Sequence, residues 1–208
     1  MRVLVLAATS MLLLASCGPN PSAKGPSNAT SATPAGGMLS AGSLTAPNLN
    51  GDRVPIFATS DDKATVLLFL ATECPISNRY APEIRRLEET YAPLGVRFWR
   101  VYPDAEVSRD AIRSHLQAHG FPPEALQDPE HALVRLSQVR VTPEAAVFLP
   151  GGRLVYHGRI DDRYVAFGQE RPTPGQRDLA AVLDAILQNR PLPSSHAPAV
   201  GCYIPDSK

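Results

Sequence analysis

The chain's 208 residues are enough for one ordinary domain together with a targeting segment and a tether. Its 20 Lys and Arg residues balance 20 Asp and Glu residues, which excludes a global field that would gather nucleic acid or an anionic membrane. Three cysteines with no C-x-x-C pair fit neither a disulfide scaffold nor a zinc cluster, so each cysteine needs its own account.

Met1 and Arg2 precede twelve mostly apolar residues, 3–14. A basic start and so short an apolar run describe a secretory signal, because a membrane-spanning helix needs about 20 residues. The run closes on Leu14-Ala15-Ser16-Cys17, which resembles the bacterial lipobox. That resemblance implies a signal peptide over 1–17, lipidation of Cys17, and a chain anchored to the membrane on its extracytoplasmic face. Lipid contributes about 0.8 kcal/mol per buried methylene, so several chains on one residue hold firmly. An incidental cysteine in an ordinary cleaved signal is the other reading. Residues 18–45 are dominated by Pro, Gly, Ser, Ala and Thr. With so little to bury they cannot offset their ordering entropy, and a flexible tether is expected.

Residues 46–189 carry the patterning of a folded domain, without internal repeats. Residues 65–71 (Thr-Val-Leu-Leu-Phe-Leu-Ala) form a continuous apolar run, as in a strand buried on both faces. Ile76, Tyr80, Ile84, Leu87 and Tyr91 follow at steps of 4, 4, 3 and 4, which is one face of a helix. Pro75 suits its first turn, Pro82 is expected to kink it and Gly95 to end it. Residues 96–102 read as a second strand. Ser108 starts a helix that Gly120 and the following proline pair stop. Asp128-Pro129 reads as the cap and first turn of a short helix ending near Val139. Beyond Val141-Thr142-Pro143, residues 145–149 and 154–158 flank Pro150-Gly151-Gly152, a hairpin signal. Leu179, Val182, Leu183 and Ile186 mark a last amphipathic helix. This order predicts an α/β fold with a mixed central sheet covered by helices on both faces. Residues 190–208 follow as an extended tail with four prolines that carries Cys202.

Cys74 falls between the buried strand and the start of the Ile76 helix. Unpaired amides at a helix start are partly positive and favour a thiolate. Cysteines so placed titrate below the free value of about 8.5. A buried, inert cysteine acting as a small hydrophobe is the alternative.

The segment Leu70-Ala-Thr-Glu-Cys74-Pro-Ile-Ser77, with Pro82 eight residues past the cysteine, resembles the active-site segment of the redoxin and membrane-anchored thioredoxin-like families. Val141-Thr142-Pro143 resembles their cis-proline loop. The resemblance covers about residues 46–189. It implies a thioredoxin fold in which Thr142 and Pro143 face the reactive cysteine and position a partner's backbone. A fuller pattern, Cys74-Pro-Ile-Ser-Asn-Arg-Tyr80 with Gly158-Arg-Ile-Asp-Asp-Arg-Tyr164 and a terminal Gly201-Cys202, is similar to bacterial redoxin-domain proteins. Ser77 stands where those families carry a second cysteine, so no local disulfide can form. Ser77 is expected either to hydrogen-bond the thiolate or simply to cap the helix. Glu73, just before the cysteine, should raise the thiol pKa. The peroxiredoxin fingerprint has Pro seven and Thr or Ser three residues before the cysteine; Leu67 and Ala71 occupy those positions, against a peroxidase of that type.

With Cys17 taken by lipid, the thiol left to resolve an oxidised Cys74 is Cys202. Bridging requires Cα atoms within about 4.4–6.8 Å, and the closed loop would be worth about 4–5 kcal/mol in the chain-entropy model. A static structural disulfide is the other reading of this pair in an oxidising compartment. Arg159 is expected either to sit in a surface ion-pair loop or to steer an anionic substrate and stabilise the thiolate. Tyr164 and Phe167 are candidates to line a groove. His115 and His119 share a helix face and read as solvated rather than metal-binding; His157 and His196, with the two cysteines, form a weaker candidate copper or zinc site. No Walker loop, G-x-G-x-x-G or nucleophile elbow calls for a cofactor. The reading is an extracytoplasmic thiol oxidoreductase acting on protein thiols and disulfides or on a small disulfide or peroxide. A metal-binding chaperone and a non-catalytic interaction module are its alternatives.

Overall fold

A computed structural model describes residues 44–57 and 62–205. Cys17, the leader around it and the tether up to residue 43 lie outside the described residues.

The described chain opens with a short antiparallel pair, β1 (Thr45–Pro47) and β2 (Arg53–Pro55). The apolar run becomes β3 (Ala64–Phe69), with every residue buried. Because side chains alternate across a strand, Val66 and Leu68 enter one core and Leu67 and Phe69 the other. Helix α1 (Pro75–Tyr91) follows and continues through Pro82. It buries the predicted face of Ile76, Tyr80, Ile84, Leu87 and Tyr91. A 3-10 turn (Ala92–Leu94) ends at Gly95, whose φ of 91° needs a residue without a Cβ. Next come β4 (Val96–Tyr102), α2 (Arg109–Ala118) and β5 (Ala125–Gln127). Ser108 caps α2 as expected, its hydroxyl accepting the Ala111 amide at 3.2 Å.

The short helix begins later than the Asp128-Pro129 signal suggested. The segment is pinned to the end of β4 by Asp128 N–H to the Tyr102 carbonyl (2.9 Å) and by His131 Nε2 to the Pro103 carbonyl (3.0 Å). Helix α3 (Ala132–Ser137) therefore starts after that turn, and the Asp128 carboxylate reaches forward to the Val134 amide at 2.8 Å.

The remaining elements are β6 (Val141–Thr142), β7 (Glu144–Leu149), β8 (Arg153–Gly158), a small pair β9 (Tyr164–Ala166) and β10 (Gln169–Glu170), α4 (Asp178–Leu187), β11 (His196–Ala197) and β12 (Cys202–Tyr203). The central sheet has the order β11-β8-β7-β3-β4-β5, with β3, β4 and β5 parallel and β7 antiparallel to both neighbours. Residues of α1, α2 and α4 pack in the core on one face; α3 and the N-terminal segment around Ile56 and Phe57 pack on the other.

The tail is tied back twice. β11 runs parallel to β8, with Ala197 opposite Gly158. β12 runs antiparallel to β6, with Cys202 opposite Thr142 and Tyr203 opposite Val141. Gly158 makes the first tie possible: its φ is 144°, and a Cβ there would lie 2.0 Å from the Ala197 carbonyl oxygen. Gly158→Ala is therefore expected to lift β11 from the sheet edge at a cost of roughly 1–3 kcal/mol. Limited proteolysis checks this: cleavage between residues 190 and 205 should accelerate, and an unchanged digestion pattern would refute it.

Candidate active site

Cys74 is the N-cap residue of α1, at the C-terminal end of β3, and is 2% exposed. Its thiol donates to the Thr142 carbonyl at 3.2 Å. The Thr142–Pro143 peptide bond is cis, so the loop expected to face the cysteine does so.

Ser77, in the first turn of α1, is 1% exposed. Its hydroxyl accepts the Ala71 amide at 3.4 Å, which leaves the O–H free to donate to the sulfur. Pro75 supplies no amide, and the Ser77 N–H is the helix-start donor that reaches Cys74. Burial pushes the Cys74 thiol up. Hydrogen bonds from the Cys202 thiol, the Ser77 and Cys202 amides and the Ser77 hydroxyl outweigh it, so the group is held below its ordinary value. Glu73, expected to act in the opposite sense, is exposed to solvent that screens its charge. Cys202 moves the other way: burial, then the hydrogen bond and charge of Cys74, push it up to about 11. The two thiols are thus drawn apart, Cys74 downward and Cys202 upward, and both are free of a disulfide. Thr142 completes the contact by donating its hydroxyl to the Cys202 carbonyl at 3.5 Å.

The lowered Cys74 value fixes the sign of its pH dependence. Alkylation at Cys74 should persist below the pH at which an ordinary thiol falls silent, and should decline only as pH drops through the lowered value. Ser77→Ala deletes one donor to the anion, so the midpoint of rate against pH should move upward and the rate at neutral pH fall severalfold. Iodoacetamide kinetics read by peptide mapping check this, and an unmoved midpoint would remove Ser77 from the site.

Two polar links brace the start of α1, and both use residues of the motifs quoted above. The Tyr80 hydroxyl donates to Asp161 Oδ1 at 2.5 Å, joining α1 to the segment after β8. Asn78 Nδ2 donates to the Thr72 carbonyl (3.1 Å), so its Oδ1 accepts from His115 Nε2 (2.8 Å). That leaves His115 Nδ1 to accept the Tyr102 hydroxyl, also at 2.8 Å. His115 is thus buried, not solvated. Burial first, and His119 second, push its pKa down to about 4, which keeps the ring neutral.

Arg159 does not join the sulfur. Its guanidinium is held by Asp178 at 2.8 Å and by Gln176 at 2.8 Å, at the start of α4. A bidentate carboxylate takes the donors that the thiolate would have needed. Tyr164 and Phe167 do border a cavity of about 230 Å³ at the start of α1, together with Pro75, Ile76, Arg79 and Glu170. His157 and His196 stack with ring centroids 4.4 Å apart, next to Glu144. Among the described residues no three His, Cys, Asp or Glu side chains are grouped to hold a metal ion.

Residues 40–157, more than half of the chain and including Cys74, Thr142 and Pro143, match the AhpC/TSA family. No curated protein matches the chain. Among solved structures, an uncharacterized conserved protein from Geobacillus kaustophilus is 27% identical, with a TM-score of 0.64 covering 77% of this chain and 87% of that one. A hypothetical protein from Sinorhizobium meliloti 1021 is 22% identical, with a TM-score of 0.65 over 79% and 91% of the two chains. A candidate thioredoxin from Neisseria meningitidis, 19% identical with a TM-score of 0.52 over 70% and 88%, shares the fold. The redoxin resemblance read from the Cys74 segment therefore holds at the level of family and fold: this thioredoxin-like chain belongs to the AhpC/TSA family.

Proposed function

We propose that the protein is an extracytoplasmic thiol–disulfide oxidoreductase in which Cys74 is the nucleophile and Cys202 the resolving thiol. The observation that carries this reading is the meeting of two unlike sulfurs. A thiolate favoured by the amide and hydroxyl of Ser77 lies against a second thiol that the β12–β6 pairing delivers to it.

The Cys74 thiolate attacks one sulfur of a disulfide; a Cys74–substrate S–S bond forms and the other substrate sulfur leaves as a thiolate. Cys74 then no longer carries charge, so the part of the upward push on Cys202 that came from Cys74 disappears. Cys202 loses its proton to solvent or to the departing sulfur and attacks Cys74. The second substrate thiolate leaves, and a Cys74–Cys202 disulfide remains. Two electrons pass from the protein dithiol to the substrate disulfide, and an external dithiol returns them. Protein disulfides and small disulfides both fit this chemistry; the Leu67 and Ala71 departures favour them over peroxide.

One equivalent of oxidised substrate should yield two equivalents of free thiol and a Cys74–Cys202 linked peptide. Release of one equivalent only, or no linked peptide, overturns the resolving role. A static staple fits the same contact but would stay closed in a mild thiol buffer and turn nothing over. The resemblance of Leu14-Ala15-Ser16-Cys17 to a lipobox supports attachment of this domain to the membrane from outside the cytoplasm. Cys17→Ala should move the protein from the membrane pellet to the soluble fraction, and retention in the pellet would refute lipid anchoring.

A further inference from the structure

The backbone edge beside Cys74 is covered by the chain's own tail, and the cover is slight. Two residues, Cys202 and Tyr203, pair with β6, and the Thr142 hydroxyl on the Cys202 carbonyl (3.5 Å), the Cys202 hydrogen bonds to Cys74 and Ile204 N–H on the Arg140 carbonyl (3.0 Å) add to them. Tyr203 is 81% exposed. The fit is nevertheless selective at one position. A Cβ on Gly201 would lie 2.2 Å from the Thr142 carbonyl oxygen and 3.2 Å from the Pro143 nitrogen. The slot is therefore built from the Val141-Thr142 backbone and the Cys74 sulfur, with no room for a side chain just before the incoming cysteine. A strand edge recognises an extended chain mainly through its backbone, which any polypeptide possesses.

We infer that this slot is exchangeable. Its resident strand is residues 201–203, and its second occupant is an extended partner polypeptide bearing glycine immediately before its disulfide-bonded cysteine. This rests on the reading of Cys74 as the nucleophile. The partner strand enters as the tail peels away, and Cys74 attacks its sulfur. The Cys74–partner S–S bond forms, the partner's own S–S bond breaks, and its other sulfur leaves as thiolate. The tail then returns to the same register. Cys202 displaces the partner's cysteine from Cys74 as a thiolate while β12 displaces its backbone from β6, so resolution and release become one event. A partner with any other residue before its cysteine meets the Thr142 carbonyl.

The test uses the full chain in the Cys202→Ser background, with and without Gly201→Val, which unseats the tail. The probe is the peptide Pro-Ala-Val-Gly-Cys-Tyr-Ile with its cysteine linked to thionitrobenzoate, alongside the same peptide carrying Val for Gly. The symmetric thionitrobenzoate disulfide reports the sulfur alone, and all rates are read from thionitrobenzoate release. The ratio of glycine-peptide rate to small-disulfide rate should rise at least about tenfold on Gly201→Val, in inverse proportion to the fraction of time the tail stands open. The valine peptide should react at least about tenfold more slowly than the glycine peptide. A chain ending after residue 199 repeats the measurement should Gly201→Val disturb folding. Equal rates for the two peptides, or an unchanged ratio, overturn the exchangeable slot while leaving the nucleophile in place. A small disulfide that releases nothing overturns the Cys74 reading, and the slot with it.

Discussion

Cys74→Ser is expected to lower kcat/KM for disulfide reduction by at least about a thousandfold, because no other group in the site offers a thiolate. Serine keeps the size and the hydrogen bond to the Thr142 carbonyl but does not ionise in any accessible pH range. The fold should therefore survive while the chemistry stops. Cys202→Ser should act differently. The first attack needs only Cys74, so a single turnover still releases one thiolate. The reaction then halts at a mixed disulfide, visible as the added mass of the substrate on the Cys74 peptide. Cys202 also donates through its thiol to the Cys74 anion, so Cys202→Ala, which unlike serine leaves no donor there, should titrate at a higher pH as well. The two variants together separate nucleophile from resolver. Residual turnover in Cys74→Ser above about a tenth of the parent would remove that sulfur from the mechanism.

The parts of this site that were legible in the sequence are those carried by long periodic elements. A six-residue strand buried on both faces, a five-point apolar face on α1 and the Cys74-Pro75 junction between them left little freedom in where the sulfur would stand. The Thr142-Pro143 loop was legible through its resemblance. The tail was not, beyond the presence of a cysteine, because β11 and β12 are two residues each and such strands have no period. What fixes them is close backbone approach at Gly158 and Gly201, a contact between segments far apart in sequence. The choice between the two readings of Arg159 stayed open for a related reason, and the structure gives the ion-pair one. Its partner Asp178 lies nineteen positions on and is brought near only by the docking of α4. His115 had a usable signal: Ile112 and Leu116 lie three and one positions away on the same buried face of α2, so its burial followed from helical spacing. The Tyr80–Asp161 bond joins the two quoted motifs, but no spacing rule links residues 81 positions apart.

The far end of α1 carries the other large expected effect. Arg100 on β4 is 2% exposed, and its guanidinium is satisfied by Glu88 of α1 at 2.7 Å and by the Glu124 carbonyl at 3.1 Å. Glu88→Ala leaves a cation in the interior with one carbonyl and the face of Phe121 for company. Removing one member of a buried pair costs about 3–5 kcal/mol, and the partial exposure of Glu88 points to the lower end. For a domain of this size about 3 kcal/mol corresponds to a fall in Tm of roughly 6–12 °C. The cost comes from the stranded charge more than from the lost attraction. Arg100→Met combined with Glu88→Leu should therefore recover most of the stability, although it restores no ion pair. Denaturant unfolding of the two singles and the double decides this. A Glu88→Ala cost under about 1 kcal/mol would mean that water reaches Arg100 and that the pair behaves as a surface one. Cys74 alkylation separates the two ends of the helix. It should stay near parent rates in the folded variants, since the sulfur depends on the first turn of α1, and the ion pair anchors a later one.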